Sequence, residues 1–180
     1  MKCAPRLVLA AIVALSLSVS STASAQYSQT RQGFWFNGGL GYGSLGCDDC
    51  EGREGAWSGG LAIGGTISQK FLLGASTNGW TKSDDGLTLT VATLTALARY
   101  YPSATGGFFL QGGLGVGSIR MELEDVGEDS ETGLGALVGL GYDLRVGQNV
   151  SLTPYWNGFA TATSNADANV GQFGLGVTIH

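Results

Sequence analysis

The stretch Leu134-Gly135-Ala136-Leu137-Val138-Gly139-Leu140-Gly141-Tyr142-Asp143-Leu144-Arg145-Val146 decides the fold. Every even-numbered position in it is apolar, while the odd positions are glycine, Leu137, Asp143 or Arg145. Alternation of period two places successive side chains on opposite faces, which is the signature of a β-strand. The run is longer than the five or six residues usual in soluble sheets, and it covers the roughly 9–11 residues a tilted strand needs to cross a bilayer. One face is apolar and the other is nearly bare.

The same pattern recurs along the chain. Seven further segments carry it: 33–44, 56–67, 70–82, 87–101, 108–120, 150–162 and 170–180. Phe34, Phe36, Leu40 and Tyr42 share a face in the first, and Phe173, Leu175, Val177 and Ile179 do so in the last. In the third, Phe71, Leu73 and Ala75 point one way while Leu72 and Trp80 fall on the other. The fourth begins with Leu87, Leu89 and Val91 on the apolar face and then loses its rhythm through Thr93 to Leu97, which suggests a bulge there.

Connections between the segments alternate in character. Ser68-Gln69, Pro102 to Gly107 and Gly147-Gln148-Asn149 are short and nearly neutral, whereas the other links hold every acidic residue except Asp143. Acids collect at Asp48 to Glu54, Asp84-Asp85, Glu122 to Glu131 and Asp167. An even number of strands with tight turns at one end and longer polar loops at the other is the plan of an outer-membrane barrel. The expected fold is therefore all-β: an eight-stranded antiparallel up-and-down transmembrane β-barrel.

Composition agrees. Glycine accounts for 31 of 180 residues against 3 prolines, well above the ordinary ~7% for glycine, yet without the G-x-y period of collagen and below the Gly plus Pro content of disordered chains. Many of the glycines, Gly39, Gly41, Gly43, Gly64, Gly139, Gly141 and Gly174 among them, fall on the interior face in this register. A lumen lined by so many absent side chains is expected to have room for water or a small ligand.

Residues 1–25 read as a cleaved secretory signal peptide: Lys2 and Arg6 precede an apolar run from Leu7 to Leu15, and Ala23-Ser24-Ala25 supplies the small-residue cleavage pattern. The expected mature chain, 26–180, is a single barrel domain. Loss of Lys2 and Arg6 leaves it with 7 basic and 14 acidic residues, a net charge of −7, which disfavours nucleic acid, whose phosphates require Lys and Arg. After residue 25 no segment offers the ~20 apolar residues of a transmembrane helix.

Candidate chemistry is sparse. His180, the last residue, is the only histidine, so the sequence shows no Ser-His-Asp pattern within its strands and too few ligands for a four-ligand zinc site. Gly41-Tyr42-Gly43-Ser44-Leu45-Gly46 fits G-x-G-x-x-G on paper but opens no helix that would present amides to a pyrophosphate. No cofactor is expected. Cys47 and Cys50 form either a local bridge or a free pair in an oxidising compartment; Asp48, Asp49 and Glu51 around them oppose a redox thiolate. Glu122, Glu124, Asp125, Glu128 and Asp129 are weak candidates for a hard cation. Arg99, Asp143 and Arg145 fall on the non-lipid face, where charges must be paired or hydrated, and are expected to form an interior polar network.

Gly38-Gly39-Leu40-Gly41-Tyr42-Gly43, Ala98-Arg99-Tyr100-Tyr101-Pro102, Val150-Ser151-Leu152-Thr153-Pro154-Tyr155 and Gly174-Leu175-Gly176-Val177-Thr178-Ile179 resemble the small eight-stranded outer-membrane β-barrels of the OmpA, OmpX and OmpW type. The resemblance implies outer-membrane localisation, a monomer, contact with outer-membrane lipid and lipopolysaccharide, and insertion by the barrel-assembly machinery. It also implies a non-enzymatic structural or surface-interaction role with acidic extracellular loops, or, on the OmpW-like side, a narrow pore or ligand-binding barrel passing small solutes. Members of that family often end in an aromatic residue that serves assembly, where this sequence has His180. Gly33-Phe34-Trp35 also matches the lipocalin G-x-W, but a soluble barrel turns its apolar face inward, and here the face opposite the apolar one is glycine.

Overall fold

The computed structural model describes residues 30–47, 52–84, 86–123, 127–164 and 166–180, without the side chains of 123 and 128. The expected signal peptide, Cys50, Glu124, Asp125 and the side chain of Glu128 lie outside what is described. Among the described residues nine strands run in chain order: β1 (Phe34–Cys47), β2 (Glu54–Ser68), β3 (Phe71–Asp84), β4 (Leu87–Tyr100), β5 (Phe108–Leu123), β6 (Gly127–Tyr142), β7 (Leu144–Arg145), β8 (Val150–Ala162) and β9 (Asp167–Ile179). Their sheet order is β6-β5-β4-β3-β2-β1-β9-β8-β7, and a β6–β8 pairing closes it. β6 and β7 are one stave interrupted at Asp143, whose amide carries the β5–β6 register one step further by donating to Gly107 O at 2.9 Å. The result is a closed, antiparallel, eight-stave barrel with no free edge.

Strand faces follow the alternation. Leu40, Trp57, Leu114, Leu134 and Phe173 point outward and are each more than 60% exposed, an arrangement that only a hydrocarbon surround makes favourable. Aromatic pairs mark the ends of the apolar wall: Phe71 faces Tyr100 and Phe108 faces Tyr142 near the turns, while Tyr42 lies between Trp57 and Phe173 toward the loops. Such girdles sit at the two membrane–water interfaces.

In β4 the expectation from sequence is corrected. Its pairings with β3 and β5 run without a register shift, and Val91, Thr93, Thr95, Leu97 and Arg99 all point inward, buried. The alternation is masked because the outward positions include Ala92, Ala96 and Ala98, too small to stand out against Thr on the other face. The irregularity lies instead between Thr66 and Ser68 in β2. The acidic segment 122–131 is corrected likewise: Glu122 belongs to β5 and Glu128, Asp129 and Glu131 to β6, with Glu122 opposite Glu128 and Met121 opposite Asp129. These acids extend the barrel wall beyond the apolar band more than they form a loop.

The interior is full. A methyl group placed on Gly39 would stand 2.6 Å from Tyr155 Cε1, on Gly43 2.8 Å from Trp80 Cδ1, and on Gly141 2.5 Å from Phe109 Cζ. At Gly174 it would collide with Tyr155, and at Gly139 with Asn157 Oδ1. Each of these glycines is the socket for a large side chain projecting from another stave. Elsewhere glycine faces glycine across the ladder, as at Gly64–Gly74, where a methyl on either would meet backbone of the other strand; such pairs let the wall curve tightly. The roomy lumen expected from the glycine count is therefore absent. Between Arg99, Gln111, Asn157, Asn78 and Tyr155 lies a cavity of about 20 Å³, space for roughly one water molecule.

Candidate functional site

Two polar clusters occupy the interior. The first crosses the middle of the lumen. Arg99, on β4 and 1% exposed, donates from Nε (3.1 Å) and Nη2 (2.9 Å) to Gln111 Oε1 on β5. Gln111 Nε2 donates to Asn157 Oδ1 on β8 at 2.7 Å, and Asn157 Nδ2 to Asn78 Oδ1 on β3 at 3.3 Å. Gln172 on β9 completes the ladder with Nε2 to Asn78 Oδ1 at 3.0 Å. Five staves are thus tied across the barrel axis. The guanidinium of Arg99 is stacked between rings, 4.7 Å from the Trp35 centroid and 4.1 Å from that of Phe109, geometry that offsets part of the cost of burying its charge.

The second cluster seals the turn end. Arg31, just ahead of β1 and 0% exposed, donates from Nη1 to Gln69 O (3.2 Å) and Ala104 O (3.1 Å) and from Nη2 to Gly106 O (2.5 Å). It therefore ties the β2–β3 turn to the β4–β5 turn, with its Cζ 3.4 Å over the Tyr101 ring. Arg145 holds the β7–β8 turn through Gln148 O (3.2 Å) and the segment leading into β1 through Thr30 O (3.0 Å). Asp143, in the break between β6 and β7, accepts from Tyr101 OH (2.7 Å), Thr153 Oγ1 (2.8 Å) and His180 Nε2 (3.4 Å).

Burial alone would raise the Asp143 carboxyl, but the hydrogen bond from His180, the charge of Arg99 and the bonds from Tyr101 and Thr153 outweigh it and hold it at about 2. Tyr101, just past β4, is pushed up to about 12, chiefly by burial. Burial also pushes the His180 imidazole below its ordinary value, against the pull of the Asp143 carboxylate. All three groups lie outside the strands.

Arg99, Asp143 and Arg145 are thus all interior and buried, but their hydrogen bonds divide them: Arg99 joins the mid-lumen ladder, while Asp143 and Arg145 serve the turn end. Sequence reasoning missed Arg31, Asn78, Gln111, Asn157 and Gln172. The last four were marked by parity, since each sits at an inward position two residues from a large apolar or glycine neighbour. Arg31 precedes the first strand and carried no periodic signal.

At the loop end, Lys82 Nζ pairs with Glu54 Oε2 at 2.6 Å and lies 3.9 Å from Asp84 Oδ2, and Arg120 lies 3.9 Å from Glu122. Thr163 donates to Glu131 Oε2 at 2.7 Å. Among the described residues no group of three or more His, Cys, Asp or Glu is placed to hold a metal ion. Cys47, at the tip of β1, is disulfide-bonded.

No curated protein sequence matches the chain significantly. Solved structures of the same architecture do. Neisserial surface protein A matches with a TM-score of 0.61 at 16% identity, over 81% of this chain and 96% of its own. The attachment invasion locus protein Ail of Yersinia pestis matches with a TM-score of 0.62 at 13% identity, over 82% of this chain and 99% of its own, and has also been solved with the heparin analogue sucrose octasulfate. The outer membrane protein OprG of Pseudomonas aeruginosa matches with a TM-score of 0.50 at 14% identity, over 84% and 98%. At these identities the likeness speaks for the fold. The description "outer membrane protein beta-barrel domain" fits residues 9–180, and with the lipid-facing wall and closed eight-stave sheet it makes the chain a member of that family and an integral protein of the outer membrane.

Proposed function

We propose that the protein is a non-conducting, non-enzymatic barrel whose role is structural or surface-interaction, exposed through the acidic loop end. The observation that carries this reading is the filled lumen: Tyr155, Trp80 and Phe109 seated on interior glycines, the five-stave polar ladder, and a residual cavity of about 20 Å³. An eight-stranded barrel is only just wide enough for its own side chains, and here those side chains interlock. Passage of a solute would require breaking the Gln111–Asn157–Asn78 bonds and leaving their buried polar groups unpaired, at about 1–3 kcal/mol each.

Export by residues 1–25, insertion by the barrel-assembly machinery, a monomeric state and contact of the apolar wall with outer-membrane lipid and lipopolysaccharide belong to the same reading. Short turns face the periplasm in such barrels, so the end bearing Glu54, Asp84, Glu122, Asp129 and Asp167 faces outward. Polyanion recognition of the kind Ail's heparin-analogue complex represents suits this acidic rim poorly; a cationic partner suits it better. Planar-bilayer recording of the purified, refolded barrel tests the central claim. Silence is the expected result, and reproducible unitary conductance in the parent refutes it.

A further inference from the structure

Arg53 is exposed, yet it is fixed to the outer wall. It stands just ahead of β2, one step past the Leu45–Glu54 pair, on the face that carries Trp57 and Tyr42. Instead of extending into water, its side chain runs sideways across β1 to β9. Nε donates to Ser44 Oγ (3.1 Å) and Nη2 to Ser44 O (2.5 Å) on β1. Nη1 donates to Asn169 Oδ1 (2.8 Å) and Nη2 to Asn169 O (3.5 Å) on β9. Gly46 is the seat, since a methyl there would stand 2.6 Å from Nη1.

All four acceptors are uncharged. Among the described residues Arg53 forms no ion pair; the adjacent Glu54 belongs to the lumen side, where Lys82 holds it at 2.6 Å. Arginine has five N–H donors and keeps its charge, so four bonds leave one Nη1 hydrogen free. Asn169 is engaged here only through its oxygens, which leaves its Nδ2 as a second donor beside the guanidinium. Ser44 lies two residues beyond Tyr42 and Asn169 four beyond Phe173, about 7–13 Å past the aromatic girdle along tilted strands. A long cationic side chain at that depth ordinarily snorkels toward water; this one is held flat at the level of lipid headgroups.

A groove of about 320 Å³ opens at Arg53 and Asn169 and crosses the outer face of β9, β8 and β6. Its floor is glycine. Gly171 has nothing within 4 Å of an added methyl, and at Gly158 the nearest atoms would be Trp156 Cη2 (3.4 Å) and Val138 Cγ2 (3.6 Å), the side chains that wall the groove. Phe173, 70% exposed, is the next outward residue below Gly171. An apolar groove in a membrane selects no lipid by itself, because acyl chains are as apolar as the side chains they replace. A fixed cation at its head selects phosphate, whose oxygens suit the guanidinium fork.

We propose that this face is a binding site for one phosphorylated lipid of the outward leaflet. Its phosphate sits on Arg53 Nη1 and Asn169 Nδ2, and one acyl chain lies over Gly171 and Gly158 against Trp156. The choice of leaflet rests on the outward orientation of the acidic loop end under the proposed function.

The test is native mass spectrometry of the barrel refolded in detergent micelles doped with diphosphoryl lipid A or with its dephosphorylated form. The parent is expected to retain one diphosphoryl lipid A and to hold the dephosphorylated form about tenfold more weakly, the worth of one charge-assisted hydrogen bond. Arg53→Gln should lose the preference for phosphate. Gly171→Leu, which fills the groove and keeps the cation, should weaken retention of both forms. Both substitutions are on the outer wall, and heat-modifiable migration on an unboiled gel verifies that each variant is folded. No retained lipid A in the parent, equal retention of the two forms, an unchanged preference in Arg53→Gln, displacement of the lipid by inorganic phosphate, or a dimer in place of bound lipid overturns the proposal. Whole-cell labelling of an Asp167→Cys variant with a membrane-impermeant thiol reagent reports orientation separately, so a reversed barrel is told apart from an absent site.

Discussion

Gly39→Ala isolates the interlock that fills the lumen. Gly39 lies on β1 opposite Gly60 and Gly176, and the added methyl would stand 2.6 Å from Tyr155 Cε1, 3.2 Å from its hydroxyl and 3.1 Å from Gly176 Cα. Tyr155 cannot simply retreat, because it also covers Gly174. Overpacking of this kind costs about 1–3 kcal/mol. Most of the collision belongs to one partner, so shortening that partner should remove it. In a Tyr155→Leu background the cost of Gly39→Ala should fall, giving a coupling energy of about 0.5–3 kcal/mol of relieving sign. Gly79→Ala is the control: Gly79 faces outward on β3 with nothing within 4 Å of an added methyl, and the reduced freedom of its unfolded chain should leave it neutral or stabilised by about 0.4–1 kcal/mol. The assay is urea-driven equilibrium unfolding in lipid vesicles followed by tryptophan fluorescence. If Gly39→Ala is neutral, or costs as much in the Tyr155→Leu background as in the parent, the glycine–aromatic packing does not hold the lumen closed.

Three other outcomes follow from the same geometry. Arg31→Gln should destabilise the barrel by about 2–4 kcal/mol, since hydrogen bonds from a charged group are worth about 1.5–3 kcal/mol and two turns lose their tie; an unchanged urea midpoint would show the seal to be decorative. Leu40→Arg, on the lipid face, should cost about 2–4 kcal/mol in a bilayer, whereas a neutral result would deny that this wall meets hydrocarbon. Acid should weaken the turn end in two stages. His180 is held below its ordinary value of 6.5 by burial, with Arg31 and Arg145 adding to it, so its contribution is complete above that pH and declines as pH falls below it. Asp143 is held at about 2 against 3.8, so its contribution is present above 3.8 and is lost as pH falls toward 2. Unfolding midpoints across this range should lose the first stage in His180→Gln and keep it in the parent.

How far the sequence reached depended on contrast between faces. In 134–146 the outward Leu, Val and Tyr stand against inward Gly, Asp and Arg, and the strand, its register and its lipid face could all be read. In 87–101 the outward Ala92, Ala96 and Ala98 stand against inward Thr93, Thr95 and Leu97, so the parity was there but the hydropathy was not. Asp143 and Arg145 could be placed inside but not given partners, because Tyr101, Thr153 and His180 come from three other parts of the chain and meet Asp143 only after closure. Arg31 was invisible for a similar reason: its ligands are main-chain carbonyls of Gln69, Ala104 and Gly106, which no sequence pattern advertises.

The glycine excess shows why a residue count cannot stand for a cavity. A missing side chain creates space only if no neighbour enters it, and in an eight-stave barrel every inward position faces side chains from across the axis. Tyr155, Trp80 and Phe109 lie along the inner wall, and glycine at 39, 174, 43 and 141, on the paired stave or the next but one, is what leaves room for them. Replace those aromatics by small residues and the same glycines would line an open channel. The ratio of interior glycines to interior aromatics, read in register, therefore decides between a plug and a pore. A Trp80→Ala, Tyr155→Ala double variant that still folds should convert this silent barrel into a conducting one; continued silence from a folded variant would place the barrier in the Arg99–Gln111–Asn157 ladder or the Arg31 seal instead.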